Sequence, residues 1–179
     1  MQNDAFSRLG LPRRFQLDAA DLERRYLAQS RAVHPDYHAS GTAADLAASL
    51  DLSAAVNAAY SVLRDLFTRA EHLLGLEGGP TAGEHKQTPP GFLAEMLDLR
   101  EQVEEARTAG AHEAPAVSAL GAEFTARIAG LMDQVARLFG EYELLPADDP
   151  KRAGIRAHIR SLLNAATYLR GLSRDLNAD

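Results

Sequence analysis

The chain has 179 residues, no cysteine, and a formal charge of −6 from 19 basic and 25 acidic side chains. The lack of cysteine excludes disulfides, thiolate zinc sites, cysteine-held iron–sulfur clusters and cysteine nucleophiles. The acidic balance argues against a nucleic-acid partner, which calls for a basic excess or a basic stripe.

Aromatic residues make up only 6% of the chain, Ala and Leu abound, and alternating apolar runs are missing, so the fold class is all-α. A short first helix covers about residues 4–9 and ends at Gly10, with Pro12 beyond it. The second spans 18–33, with Asp18 as N-cap and an apolar stripe that includes Leu22, Tyr26 and Val33. The third spans 42–66, with Thr42 as N-cap and Asp45 three residues on, an Asp variant of the capping box. Leu46, Leu50, Ala54, Asn57/Ala58 and Leu63 mark its expected inward side, and RAEHLLGL adds a further turn or two. From Gly75 the composition shifts to glycine, proline and polar residues without a periodic apolar face, the best domain boundary in the chain. Three helices follow, at about 92–109, 115–144 and 150–176, with short breaks that suit antiparallel neighbours.

His34-Pro35-Asp36 sits between the second and third helices. Pro35 removes a backbone donor and stops the helix, so a hairpin presents an imidazole, a rigid ring and a carboxylate on its connecting loop. His34 lies at the negative end of the second helix, and Asp36 is an acceptor suited to an arginine fork on a partner. His34, Asp36 and His38 also offer three metal-competent side chains, so a metal-binding enzyme is a rival from a different class. Arg24 and Arg31 share a helix face with Arg25 beside them, either an electrostatic docking stripe or an ordinary solvated surface. Asn57 and Tyr60 are polar members of an apolar helix, expected to hydrogen-bond the loop backbone from the core. After the boundary, Phe92, Met96, Leu99 and Val103 form a core stripe, and Leu93 and Leu97 a second stripe flanked by Asp98, Glu101 and Glu105.

The early helix, the arginines of the second helix, the HPD loop and the segment NAAYSVL (Asn57 to Leu63) together resemble a J-domain, the module that stimulates ATP hydrolysis by DnaK-class chaperones. LGLPRRFQLD, the ASG after HPD, RAEHLLGLEG and FLAEMLDLREQVEEA narrow the resemblance to HscB-type co-chaperones of iron–sulfur cluster assembly. That resemblance implies a J-domain over 1–75, a linker over 76–91 and an antiparallel three-helix bundle over 92–179. It implies two partners, an HscA/DnaK-class chaperone ATPase and an IscU-like iron–sulfur scaffold protein. His34, Pro35, Asp36, Arg24, Arg25 and Arg31 would meet the chaperone. Leu93, Ala94, Leu97, Asp98, Glu101 and Glu105 would meet the scaffold, with a contribution from the last helix near Ser161/Leu162. No catalytic residue, metal or cofactor is implied. A J-domain protein with a different client is the nearer alternative. No uninterrupted apolar run approaches the roughly 20 residues that cross a bilayer. The opening MQNDAFSRLGLP lacks the basic start and apolar core of a secretory signal, so a cytoplasmic protein without a membrane partner is expected.

Overall fold

A computed structural model describes residues 4–34, 42–108 and 115–177. The described residues form seven helices and no strand: α1 (Ala5–Arg8), α2 (Ala19–Ala32), α3 (Ala43–Arg64), α4 (Leu66–Leu76), α5 (Phe92–Thr108), α6 (Pro115–Leu144) and α7 (Lys151–Leu176). The chain divides into two compact units, Met1–Leu73 and Leu74–Asp179.

In the first unit, the Asp4 carboxylate caps α1 by accepting from the N–H groups of Phe6 and Ser7 at 2.9 and 3.0 Å. Its other oxygen takes the Arg13 guanidinium at 2.6 Å, so one acid fixes both the start of α1 and the loop beyond it. Burial pushes the Asp4 pKa up, but the Ser7 N–H, Arg13 and the Phe6 N–H outweigh it and hold the carboxyl below the usual carboxylate range. At the other end Gly10 turns the chain in the left-handed region, with φ of 64°, while the Leu11 N–H reaches back to the Phe6 carbonyl.

α2 begins as expected, with the Asp18 side chain accepting from the Asp21 N–H, and the Thr42–Asp45 capping box opens α3. The inward face of α3 is not the one read from the sequence. Ser49, Val56, Ala59 and Leu63 are buried, whereas Leu46, Leu50, Ala54, Asn57 and Ala58 are exposed. Of the expected stripe only Leu63 faces inward. In a helix of Ala and Leu nearly all round, no polar face fixes the rotation, and packing on α1 and α2 decides it. By length and composition α3 could also cross a bilayer, but Asp45, Asp51 and Asn57 interrupt it and one face packs on its neighbours.

α3 stops at Arg64 rather than at residue 66, because Asp65 starts a new helix by accepting the Thr68 N–H at 2.8 Å. RAEHLLGL is thus the bulk of a separate 11-residue helix. Arg69, almost fully buried, donates to the Leu63 carbonyl at 2.6 Å and to the Phe15 carbonyl at 2.9 Å. It joins the end of α3 to the loop between α1 and α2, and its burial lowers its pKa. His72 accepts the Ala5 N–H at Nε2 and stacks on Phe6, which ties α4 to α1.

In the second unit α5, α6 and α7 form an up-down-up bundle. Phe92, Met96, Leu99 and Val103 are all buried, in a core with Leu120, Phe124, Leu169 and Leu172. Residues 76–91, read as a linker from composition, are tied to this unit. The Asn164 amide donates to the carbonyls of His85 and Gln87 at 2.8 and 2.9 Å, and Glu77 takes the Tyr142 hydroxyl at 2.9 Å. The Arg152 guanidinium lies 3.8 Å over the Tyr142 ring and donates to the Leu145 carbonyl, closing the turn between α6 and α7.

Arg69→Met is expected to destabilise the chain by about 2–4 kcal/mol, since two buried carbonyls lose their charged donor; an unchanged urea midpoint would contradict this. The Asp4 contribution is present above the unfolded carboxylate pKa of about 3.9 and is lost as pH falls through its lower folded value. Asp4→Asn should therefore lower stability near neutrality and shrink the loss on acidification below about pH 4, as followed by circular dichroism melts.

Candidate functional site: the loop end of the hairpin and the outer face of α5

Val33 caps the C-terminal end of α2; its N–H closes on the Gln29 carbonyl at 3.1 Å and its carbonyl accepts the Ser49 hydroxyl of α3 at 2.8 Å. The Ser49 bond places the helix end against a fixed turn of α3. His34 follows immediately, exposed, with its N–H directed at the Arg31 carbonyl at 3.4 Å. Pro35 and Asp36, like Tyr37 and His38, lie outside the described residues. Among the described residues, no group of three or more His, Cys, Asp or Glu side chains could hold a metal.

Asn57 and Tyr60 join α3 to α2, and the loop backbone they were expected to hold lies mostly outside the described residues. The Tyr26 hydroxyl donates to the Asn57 side-chain oxygen at 3.0 Å, and the Tyr26 and Tyr60 rings stack with centroids 4.1 Å apart. The pair therefore sets the register of α2 on α3. Sequence reading missed Ser49 altogether, and no local pattern separates it from its neighbour Ser53.

The three arginines of α2 divide by what they touch. Arg24 pairs with Asp21 and remains largely exposed. Arg25 takes both Asp21 oxygens at 3.0–3.1 Å and also donates to the Gly10 carbonyl, so it links α2 to the end of α1. Arg31 is exposed in the last turn, beside His34. Arg24 and Arg31 thus leave a guanidinium facing solvent, while Arg25 also holds the fold.

A separate surface lies on the second unit. With Phe92, Met96, Leu99 and Val103 turned into the bundle, geometry puts Leu93, Ala94, Leu97, Asp98, Glu101 and Glu105 on the opposite side of α5. All six are exposed. Leu93 and Leu97 stand out, at 62% and 69% exposure. Two neighbouring leucines so far out of the core, rimmed by carboxylates, have the composition of an interface centre. Ser161 and Leu162, expected to lie near this surface from α7, are buried. They belong to the broad buried face of α7.

Residues 88–173 match the family model of the HSCB C-terminal oligomerisation domain. The chaperone HscB from Vibrio cholerae is 26% identical, with 97% of this chain and 94% of that one covered at a TM-score of 0.74. The human co-chaperone protein HscB shares the fold at 24% identity and a TM-score of 0.77, with 97% of this chain and 80% of that one covered. The second unit carries the HSCB C-terminal domain, and the chain as a whole is similar to HscB-type co-chaperones. Its first unit has the fold of a J-domain and its second is the HscB-type C-terminal bundle.

The division among the arginines has a measurable consequence in this HscB-like chain. Arg25→Ala should lower stability by about 1 kcal/mol, because a carbonyl and a carboxylate lose a shared donor. Arg31→Ala should leave the melting curve within about 0.5 kcal/mol of the parent. Equal melting curves for the two variants would show that Arg25 does not hold the fold.

Proposed function

We propose that the J-domain docks an HscA/DnaK-class chaperone through His34, Pro35, Asp36, Arg24, Arg25 and Arg31 and stimulates its ATPase. The C-terminal bundle meanwhile holds an IscU-like scaffold on Leu93, Ala94, Leu97, Asp98, Glu101 and Glu105. The observation that supports this best is the exposure of Leu93 and Leu97 on the outer face of α5 within a rim of acids. Burying two leucines on a partner contributes about 1.5–3 kcal/mol each, enough to localise the contact before the rim adds specificity. The carboxylates make the surface selective for a basic partner and quicken the encounter at low salt.

The protein itself carries out no bond chemistry in this reading; it biases another protein's motor. That bias requires differential affinity, with the J-domain binding the hydrolysis-competent state of the chaperone better than the other. His34, exposed at a helix end whose position Ser49 fixes, is presented with little ordering left to do on binding. Arg24 and Arg31 add a cationic face for an acidic chaperone surface. The cytoplasm, where scaffold and chaperone would both be met, is the compartment this role calls for.

His34→Gln should leave the fold unchanged and abolish stimulation of ATP hydrolysis by the chaperone, measured as phosphate release; undiminished stimulation would remove the loop from the mechanism. Leu93→Ala with Leu97→Ala should weaken scaffold binding by about 2–4 kcal/mol in titration calorimetry while basal stimulation without scaffold persists. Full affinity in that double variant would place the scaffold elsewhere.

A further inference from the structure

The segment between α4 and α5 is held to the bundle by polar groups rather than by the core. No residue from 77 to 91 is fully buried, and none belongs to the core that Phe92, Met96, Phe124, Leu169 and Leu172 help to build. One anchor lies at its start, where Glu77 accepts the Tyr142 hydroxyl at 2.9 Å and meets the Arg152 guanidinium at 3.4 Å. Another lies past its middle, where the one amide nitrogen of Asn164 serves the carbonyls of His85 and Gln87 at 2.8 and 2.9 Å. Between the anchors the segment holds its own shape. The Thr81 N–H and hydroxyl both donate to the Glu84 carboxylate at 2.8 Å, and the Glu84 and His85 N–H groups return to the Thr81 carbonyl at 3.2 and 3.1 Å. Gly78 and Gly91, with φ of 69° and 79°, stand at its two ends.

Ordering such a segment costs conformational entropy at every residue, and a handful of water-accessible hydrogen bonds offsets that cost only narrowly. Docked and released states of the segment therefore lie close in free energy, whereas the apolar core of α5, α6 and α7 is complete without it. Segments with few buried apolar contacts are the ones that open locally while the rest of a fold persists.

We propose that residues 77–91 are a latched strap that leaves α7 as one piece while α5, α6 and α7 stay folded, with Glu77 and Asn164 as its locks. Released, the strap is a glycine- and proline-rich tether between the two units, which frees one unit to engage its partner while the other keeps hold of a second. That consequence rests on the two-partner reading of the chain. The latch does not, and its test uses no partner.

Lys86 is a built-in reporter. It is the sole lysine or arginine between Arg69 and Arg100, and its peptide bond to Gln87 lies between the two carbonyls that Asn164 holds. Trypsin must extend that stretch to cut it, so cutting samples the released state. The test is the rate of tryptic cutting after Lys86 in the full chain, followed by mass spectrometry, with circular dichroism melts alongside. In the parent this cut should come first, and the fragment that begins at Gln87 should survive about tenfold longer or more. Asn164→Asp, which keeps the size of the side chain and removes its donors, should speed the cut about tenfold or more. Glu77→Ala should speed it about threefold or more, although Glu77 lies nine residues before Lys86, because one release breaks both locks. Melting midpoints should move by less than about 3 °C. Glu77 lies outside α5, α6 and α7, so its variant reads the latch even where Asn164→Asp weakens the bundle. An unchanged rate in Glu77→Ala shows fraying at Asn164 alone and overturns the strap. Cutting after Lys86 that is no faster than cutting at Arg100, Arg127 and Arg170 makes the segment a fixed part of the bundle and overturns it too. A parent cut as fast as that of a free peptide of residues 77–91 shows that nothing latches the segment, and the proposal fails.

Discussion

The bond from the Ser49 hydroxyl to the Val33 carbonyl is the constraint on which the presentation of His34 depends. The last carbonyls of a helix have no partner within it, and the end of α2 finds one on α3. A hydrogen bond of this kind contributes about 1 kcal/mol, and the Tyr26–Tyr60 stack about as much again. Neither is large beside the burial of Leu22, Val56 and Leu63 in the same unit. Their value is positional. Apolar packing tolerates sliding and rotation, whereas a donor matched to one carbonyl and a phenol matched to Asn57 admit a single register.

Charge is divided along similar lines. Arg13, Arg25 and Arg69 lie in the half that would meet the chaperone, yet each spends its guanidinium on this chain's own carbonyls or carboxylates. Arg24, although paired with Asp21, and Arg31 keep theirs at the surface. In the bundle, Arg127 bridges Glu95 and Glu123, and Arg152 closes the turn before α7. The outer face of α5 is left mainly acidic, with Arg100 its one cation between residues 93 and 105. The two units thus offer opposite electrostatic faces, a cationic one on α2 and an anionic one on α5, although the chain carries a net charge of −6. Two partners of different charge can then be sorted by field before any close contact forms.

Exposed apolar surface also differs in meaning between the units. On α3, Leu46, Leu50 and Leu52 are exposed at 39–53%, in a helix so rich in Ala and Leu that some must face water however it is turned. On α5 the core stripe is complete without Leu93 and Leu97, and most of the rest of the outer face is charged. Apolar residues that the fold does not need, set among residues that suit water, are better evidence of a partner than a larger number scattered over an apolar helix.

The helices were legible in the sequence because their signals are local. Asp18 and Thr42 cap where expected, Gly10 turns the chain, and the limits of α5, α6 and α7 fall within a residue or so of the periodic pattern. The two faces of α5 were legible as well, since aliphatic and acidic residues alternate there at helical spacing. The rotation of α3, the break at Asp65, the inward turn of Ser161 and Leu162, and the roles of Ser49, Arg25 and Arg69 were not. Each depends on a partner far away in the chain: Val33 for Ser49, Gly10 for Arg25, Phe15 for Arg69. Periodicity and capping arise within a few residues, so the sequence alone determined which segments are helices and which motif joins them. Tertiary packing decided which face each helix buries and which polar groups hold it there, because an alanine-rich helix has several faces of nearly equal burial energy and only its neighbours break the tie.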